Sequence, residues 1–232
     1  PLWDEVDTLL LHAEEMTVEK ISVAGNPVKF SQEGKNLTIQ LGQKYQRQDH
    51  LAIAIVYAAS PRKGIYFIRP DEGYPTKPYQ IWTQGEPEET HHWFPCYDYP
   101  NERATTEINA TVHKPFMVIS NGLLQSVEEG EDRSWHTFRW KTSIPHSIYL
   151  ISLIVGEFVE LKADFEGIPL QYYVQKQDAE NALLAFQKTP QMMRFFSEKI
   201  GIRYPYEKYS QTVIEDFMWG GMENISATTL HQ

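Results

Sequence analysis

Leu37-Thr38-Ile39-Gln40-Leu41 alternates apolar and polar side chains. That is the period of a strand with one face in a core. Leu51, Ile53, Ile55 and Tyr57 continue the period, as do Ile108, Ala110 and Val112, then Phe138 and Trp140. Gly64 to Ile68 is a short apolar run bounded by Gly and Pro, and Tyr149 to Leu161 is a long β-rich run interrupted by Gly156. Turn formers separate the runs: Gly25-Asn26-Pro27, Glu33-Gly34-Lys35, Asn121-Gly122 and the acidic stretch Glu128 to Arg133. Many short strands between such turns predict a mainly β fold, with a β-sandwich over residues 1–161.

The character changes near Leu161. Gly167-Ile168-Pro169 leads into one more strand, Leu170 to Val174. Asp178 is then placed to cap a helix running to about Ile200, with Leu183, Phe186, Met193, Phe196 and Ile200 near one face. Pro190 should kink that helix or split it in two, and Gly201 is placed to end it. Gln211 to Glu215 reads as a further strand. Residues 162–232 therefore read as the opening of an α/β unit. The unit is small for an independent core, and the chain opens on Pro1 rather than methionine. Both features give the expectation that the chain is a piece of something longer.

Composition narrows the function. At 232 residues the chain holds one large domain or two modest ones, on a scale of roughly 150 residues each. The 31 Asp and Glu exceed the 21 Lys and Arg, for a net charge of −10. A nucleic-acid binder needs a basic stripe to neutralise phosphates, and none is present, so no nucleic-acid partner is expected. No run approaches the roughly 20 apolar residues of a membrane span, so no membrane partner is expected either. The single Cys96 excludes an internal disulfide and reads as a buried structural thiol. No histidine is followed by Glu, so no His-Glu-x-x-His helix exists. His91 and His92 are adjacent; on a strand they would point to opposite faces, so they read as ordinary loop or surface histidines and no metal ligand is assigned.

Two segments stand out. One is Gln80-Ile81-Trp82-Thr83-Gln84-Gly85-Glu86, continuing to Trp93-Phe94-Pro95-Cys96-Tyr97-Asp98-Tyr99-Pro100. The other is Glu215-Asp216-Phe217-Met218-Trp219-Gly220-Gly221-Met222-Glu223-Asn224. Paired glycines in a strand-like run often mark close approach of another backbone or a ligand, and Glu223 could present a carboxylate there. From chemistry alone, a bulge or tight turn with a solvated Glu is the favoured reading of the second segment, and an acidic surface loop that of Glu86-Pro87-Glu88-Glu89 in the first.

Gly220-Gly221-Met222-Glu223-Asn224 resembles the Gly-x-Met-Glu-Asn exopeptidase motif of the aminopeptidase N family of zinc metallopeptidases. Thr83-Gln84-Gly85-Glu86 followed by Phe94-Pro95-Cys96-Tyr97-Asp98 resembles its upstream signature. Ser120-Asn121-Gly122 and Tyr204-Pro205-Tyr206 match it in order and spacing. The resemblance implies a saddle-shaped, β-sandwich-like N-terminal domain (1–161, first strands missing) and the beginning of a thermolysin-like catalytic domain (162–232). It implies a zinc-dependent aminopeptidase acting on peptides through their free N-terminal amine. The family's zinc motif follows the exopeptidase motif and is absent here, so the chain alone is expected to hold no catalytic zinc and to hydrolyse nothing.

By the resemblance, the Gly220 and Gly221 main chain holds the first substrate residue by strand addition. Glu223 and Glu86 bind its α-ammonium, two carboxylates whose mutual repulsion a cationic amine relieves. Gln84 and Met222 line the pocket for the first side chain, and Asn224 orients the loop. Two departures stand out: Thr90-His91-His92-Trp93 where many members have Ala-Arg, and Asp98-Tyr99-Pro100 where many have Asp-Glu-Pro. They put subfamily and side-chain preference in question.

The competing readings are a non-catalytic relative serving as a protein-interaction scaffold and a carbohydrate-binding sandwich. Retention of Glu86 and Glu223 favours the enzyme. Asn36, Asn109 and Asn224 head Asn-x-Ser/Thr sequons, but a glycan on Asn224 would block the exopeptidase motif, which gives the expectation of a cytoplasmic protein.

Overall fold

The computed structural model describes residues 5–232. Pro1 to Asp4 lie outside the described residues. The mainly β reading holds: the segments are strands wherever the alternation was clear.

Two three-stranded sheets form the first sandwich. One pairs Glu5–His12, Asn36–Gln46 and Phe30–Glu33; the other pairs Asn26–Pro27, Met16–Val23 and Ile53–Ala59. Leu37, Ile39 and Leu41 point inward together with Ile21 and Val23, so the alternating run of the sequence is the core of this layer.

A four-stranded sheet lies at the centre of the molecule, in the order Met117–Ser120, Leu153–Gly156, Gln80–Thr83, Ile65–Ile68. It is buried on both faces, which explains its short, nearly continuous apolar runs. Val118 and Val155 face one way, onto Phe138 and Trp140 of the sheet Glu107–His113, Trp135–Lys141, Leu123–Glu129. Ile119, Ile154 and Trp82 face the other way, onto Tyr173, Ile214, Phe217 and Met222 of the C-terminal unit.

That unit is a five-stranded sheet in the order Val159–Phe165, Ile168–Val174, Tyr209–Ile214, Ala227–His231, Gly221–Met222. Ile168–Val174, Tyr209–Ile214 and Ala227–His231 run parallel, and the helices supply the crossover between the first two. Successive residues split between faces: Tyr172 packs under the helices and Tyr173 against the central sheet. Position 161 falls inside the strand Val159–Phe165, which pairs along its whole length with Ile168–Val174.

The helical segment splits in two, as Pro190 led one to expect: Ala179–Phe186 and Thr189–Ile200, with Pro190 in the first turn of the second, where its missing N–H costs nothing. It differs from expectation in two ways. Asp178 precedes the first helix but makes no capping hydrogen bond. Of the apolar stripe only Phe186 and Met193 are buried; Leu183, Phe196 and Ile200 are exposed, because the break at Gln187-Lys188 takes the two helices out of a common register. Gly201 ends the second helix with φ +77° and an N–H donated to the Ser197 carbonyl.

Polar groups join the central sheet to the C-terminal unit. The Asn121 amide donates to the Leu150 carbonyl at 3.0 Å and to the Ile225 carbonyl at 2.6 Å, and its oxygen accepts the Ser152 N–H at 2.6 Å. Gly122 donates its N–H to Ser226 Oγ. Gly122 has φ +72°, and a Cβ there would lie 2.0 Å from the Lys141 carbonyl oxygen, so no other residue fits. Lys208 is buried to 1% exposure and donates from Nζ to the Ser120 and Ser226 carbonyls, both at 2.9 Å, and to Ser210 Oγ at 3.1 Å. Its Nζ lies 5.1 Å from the Trp140 ring centroid.

Asn121→Ala removes three buried hydrogen bonds and should destabilise the chain by about 2–4 kcal/mol in urea denaturation. Lys208 supplies a pH test. Burial, only partly offset by Glu207, pushes its ammonium down to about 7. Between about pH 7 and the ordinary lysine value, the unfolded chain holds a proton that the folded chain has released, so this group makes stability rise with pH across that window. Measured at pH 7 and pH 9, the stability difference between wild type and Lys208→Met should widen at the higher pH, by at most about 1.4 kcal/mol per unit.

Candidate recognition site at the junction

Strand Gln80–Thr83 ends at the site. The Trp82 indole N–H donates to the Glu215 carbonyl at 3.1 Å, and Gln80 Oε1 accepts the Glu215 N–H at 2.9 Å. Trp82 also packs edge-on to Phe217, with ring centroids 5.3 Å apart, and Lys77 bonds Asp216 at 2.7 Å. These contacts fix the start of the segment that carries Gly220 and Gly221. The Asn121 and Gly122 bonds to Ile225 and Ser226 fix its end.

Between these anchors, Gly221–Met222 is the last strand of its sheet. It pairs antiparallel with Ala227–His231, Gly221 opposite Leu230 and Met222 opposite Thr229, and among the described residues no strand pairs with its outer edge. Gly220 accepts the His231 N–H on its carbonyl at 3.2 Å. Neither glycine has a positive φ, and a Cβ on Gly220 would meet nothing within 4 Å. The fold itself therefore imposes no glycine at 220.

Gly85 is different. A Cβ there would lie 2.5 Å from the Tyr149 carbonyl oxygen and 2.6 Å from Thr90 Oγ1, so the turn that launches Glu86 packs directly on Tyr149. Glu86 and Glu223 are both exposed. They come from different units and converge on one group: burial holds the Tyr149 phenol above its ordinary value, and the Glu223 and Glu86 carboxylates add to that effect. Gln84 is buried, with its Oε1 lacking a hydrogen-bond partner. Met222 is buried in the cluster with Trp82 and Phe217. Asn224 is buried and donates to Thr229 Oγ1 at 3.2 Å, within its own loop.

Sequence reasoning missed Tyr149, Lys208 and the tie of Gln80 and Trp82 to Glu215. Their partners lie far along the chain, 133 residues in the case of Trp82, and no periodicity signals them. It also misplaced His91 and His92. They lie not on a strand but on a single 3-10 turn, Thr90–His92, with rings stacked 4.6 Å apart, and both are buried. Cys96 is buried as expected, and burial raises its thiol far above the usual range.

Comparison with known proteins agrees with this architecture. The family profile described as the Peptidase M1 N-terminal domain matches residues 2–150, and that of the Peptidase family M1 domain matches 184–232. Glutamyl aminopeptidase of Bos taurus is 32% identical over 151 residues, 65% of this chain and 16% of that protein. Glutamyl aminopeptidase of Sus scrofa is 25% identical across 97% of this chain and 25% of its own length. The chain thus spans a quarter or less of these relatives. The crystal structure of an M1 zinc metallopeptidase from Deinococcus radiodurans superposes with a TM-score of 0.83 over 98% of this chain and 52% of that one, at 19% identity, which is a likeness of fold. With its N-terminal domain matched almost end to end, this chain belongs to the peptidase M1 family.

Proposed function

We propose that this chain carries the substrate N-terminus recognition elements of a zinc-dependent aminopeptidase, which removes N-terminal amino acids from peptides. The observation that carries the proposal is the strand Gly221–Met222, whose outer edge pairs with no strand among the described residues, followed at once by the exposed carboxylate of Glu223. The relatives named glutamyl aminopeptidase and the neighbour titled an M1 zinc metallopeptidase support the enzyme and its metal.

The division of labour follows from the residues. A peptide aligned on the outer edge of Gly220–Met222 would exchange main-chain hydrogen bonds with it, which fixes direction and register but not sequence. Leaving Gly220 without a side chain keeps that approach open. Glu223 at the end of the strand, and Glu86 across the junction, would receive the terminal ammonium. A peptide extended past that point would put an uncharged amide against two carboxylates, so the pair selects a free N-terminus. Burial, with the two carboxylates adding to it, keeps the Tyr149 phenol protonated beside them.

Zinc, when bound, polarises the scissile carbonyl and activates water. These 232 residues do not supply the catalytic site for that ion: no His-Glu-x-x-His occurs among them. The chain's own part is binding and orientation.

Four measurements test the proposal. The 232-residue chain should hydrolyse no aminoacyl reporter, with or without added zinc. In the zinc-loaded full-length enzyme, Glu223→Gln should lower kcat/KM for unblocked peptides by about 100-fold, the loss of one charge-assisted contact. N-acetylated peptides should be refractory in both proteins; equal cleavage of blocked and free peptides would overturn the ammonium clamp. Gly220→Ala should melt like the wild type and yet raise KM, a split that separates an external role of the glycine from a structural one.

A further inference from the structure

His91 and His92 sit where four segments meet. The turn Thr90–His92 packs against the loop after strand Glu5–His12, and Glu14 donates its N–H to the His91 carbonyl at 3.1 Å. His12 and Cys96 exchange two main-chain hydrogen bonds, at 2.7 and 3.0 Å, and Ser60 donates to the Glu15 carbonyl. The side chains are as closely arranged. His91 Nδ1 lies 2.7 Å from Asp98 Oδ2, a carboxylate buried to 2% exposure, and that same oxygen also accepts the His91 backbone N–H. His91 Nε2 faces Glu14 Oε2 at 3.4 Å. His92 Nδ1 is 3.3 Å from Glu15 Oε2 but makes no hydrogen bond with it, although the residue is only 7% exposed. Glu15 in turn is held by Arg62, whose backbone N–H and guanidinium both reach its carboxylate.

A buried imidazole nitrogen without a partner needs one. Two histidines stacked 4.6 Å apart would repel if both were protonated, so a second proton is a poor solution. Three carboxylates, Glu14, Glu15 and Asp98, surround the pair, with Arg62 on Glu15 as the one bonded cation. One ligand atom from each of Glu14, His91 and His92 lies within 4.8 Å of the other two. In a tetrahedral zinc site, ligands about 2.0–2.1 Å from the metal stand about 3.3 Å apart. The Glu14 to His91 separation already has that value. The Asp98 carboxylate holds the proton on His91 Nδ1 and leaves Nε2 as the donor, the arrangement that orients metal-bound histidines.

We propose that Glu14 Oε2, His91 Nε2 and a ring nitrogen of His92 form a binding site for a divalent transition-metal ion of zinc type. Two imidazoles and a carboxylate match that class of ion better than calcium or magnesium, which take oxygen ligands almost alone. The fourth position falls to water or to Glu15. Asp98 is a positioning residue that acts through His91. The site is not the family's catalytic zinc centre, whose His-Glu-x-x-His ligands these residues do not form, and it does not depend on the aminopeptidase reading. Bound metal would fasten the loop after the first strand to the turn that follows Glu86.

The test uses the metal-stripped 232-residue chain, zinc by calorimetric titration, and cobalt as the spectroscopic probe. One equivalent of zinc should bind, and cobalt should give the strong visible absorption of a four-coordinate ion. Glu14→Gln, at a half-exposed position that tolerates the change, and His92→Gln should each lower zinc affinity at least ~10-fold. His113→Gln, at an exposed histidine on another strand, should bind as the wild type does. Failure of the wild type to take up one equivalent, or unchanged affinity in either Glu14→Gln or His92→Gln, overturns the proposal. Melting curves without metal separate lost ligation from lost folding.

Discussion

The Asn121 side chain puts both amide N–H groups and its oxygen to one task, joining the sheet it ends to the loop that follows Glu223. A buried amide so fully engaged is costly to disturb, because each lost partner leaves another buried polar group exposed to the same penalty. Lys208 reinforces the joint from the other side, reaching the carbonyls of Ser120 and Ser226 at once. The placement of Glu86 and Glu223 depends on this joint, since each follows a strand of a different sheet.

The apolar part of the joint works by the same geometry. The central sheet is covered on both faces, so its strands can neither slip by one residue nor tilt without exposing a core. Trp82 shows both functions in one residue: its ring packs on Phe217 while its N–H secures Glu215. A short strand of four residues thus sets the position of a segment more than 130 residues later.

Local order was legible in the sequence, and long-range order was not. The alternation at Leu37 to Leu41 gave its strand and its buried face because period two is a property of neighbouring residues. The helix stripe from Leu183 to Ile200 misled because a two-residue break reset the register, which periodicity counted across a proline cannot detect. His91 and His92 were misread for a related reason: their expected divergence assumed a strand, and a single turn of 3-10 helix stacks them instead. Glu86 and Glu223 were picked out by resemblance, and the structure adds Tyr149, whose phenol both carboxylates influence and for which no local signal exists.

The joint also bears on how such chains diverge. The groups that fasten the two sheets are dispersed along the sequence, at Gln80, Trp82, Asn121, Gly122, Lys208 and Ser226, and each has a partner on the other side of the seam. A crossover between two related genes at the seam would mix partners that were never selected together. The two halves are separate in architecture but inherited as one, and exchange of either half alone is the kind of recombination this fold is built to reject.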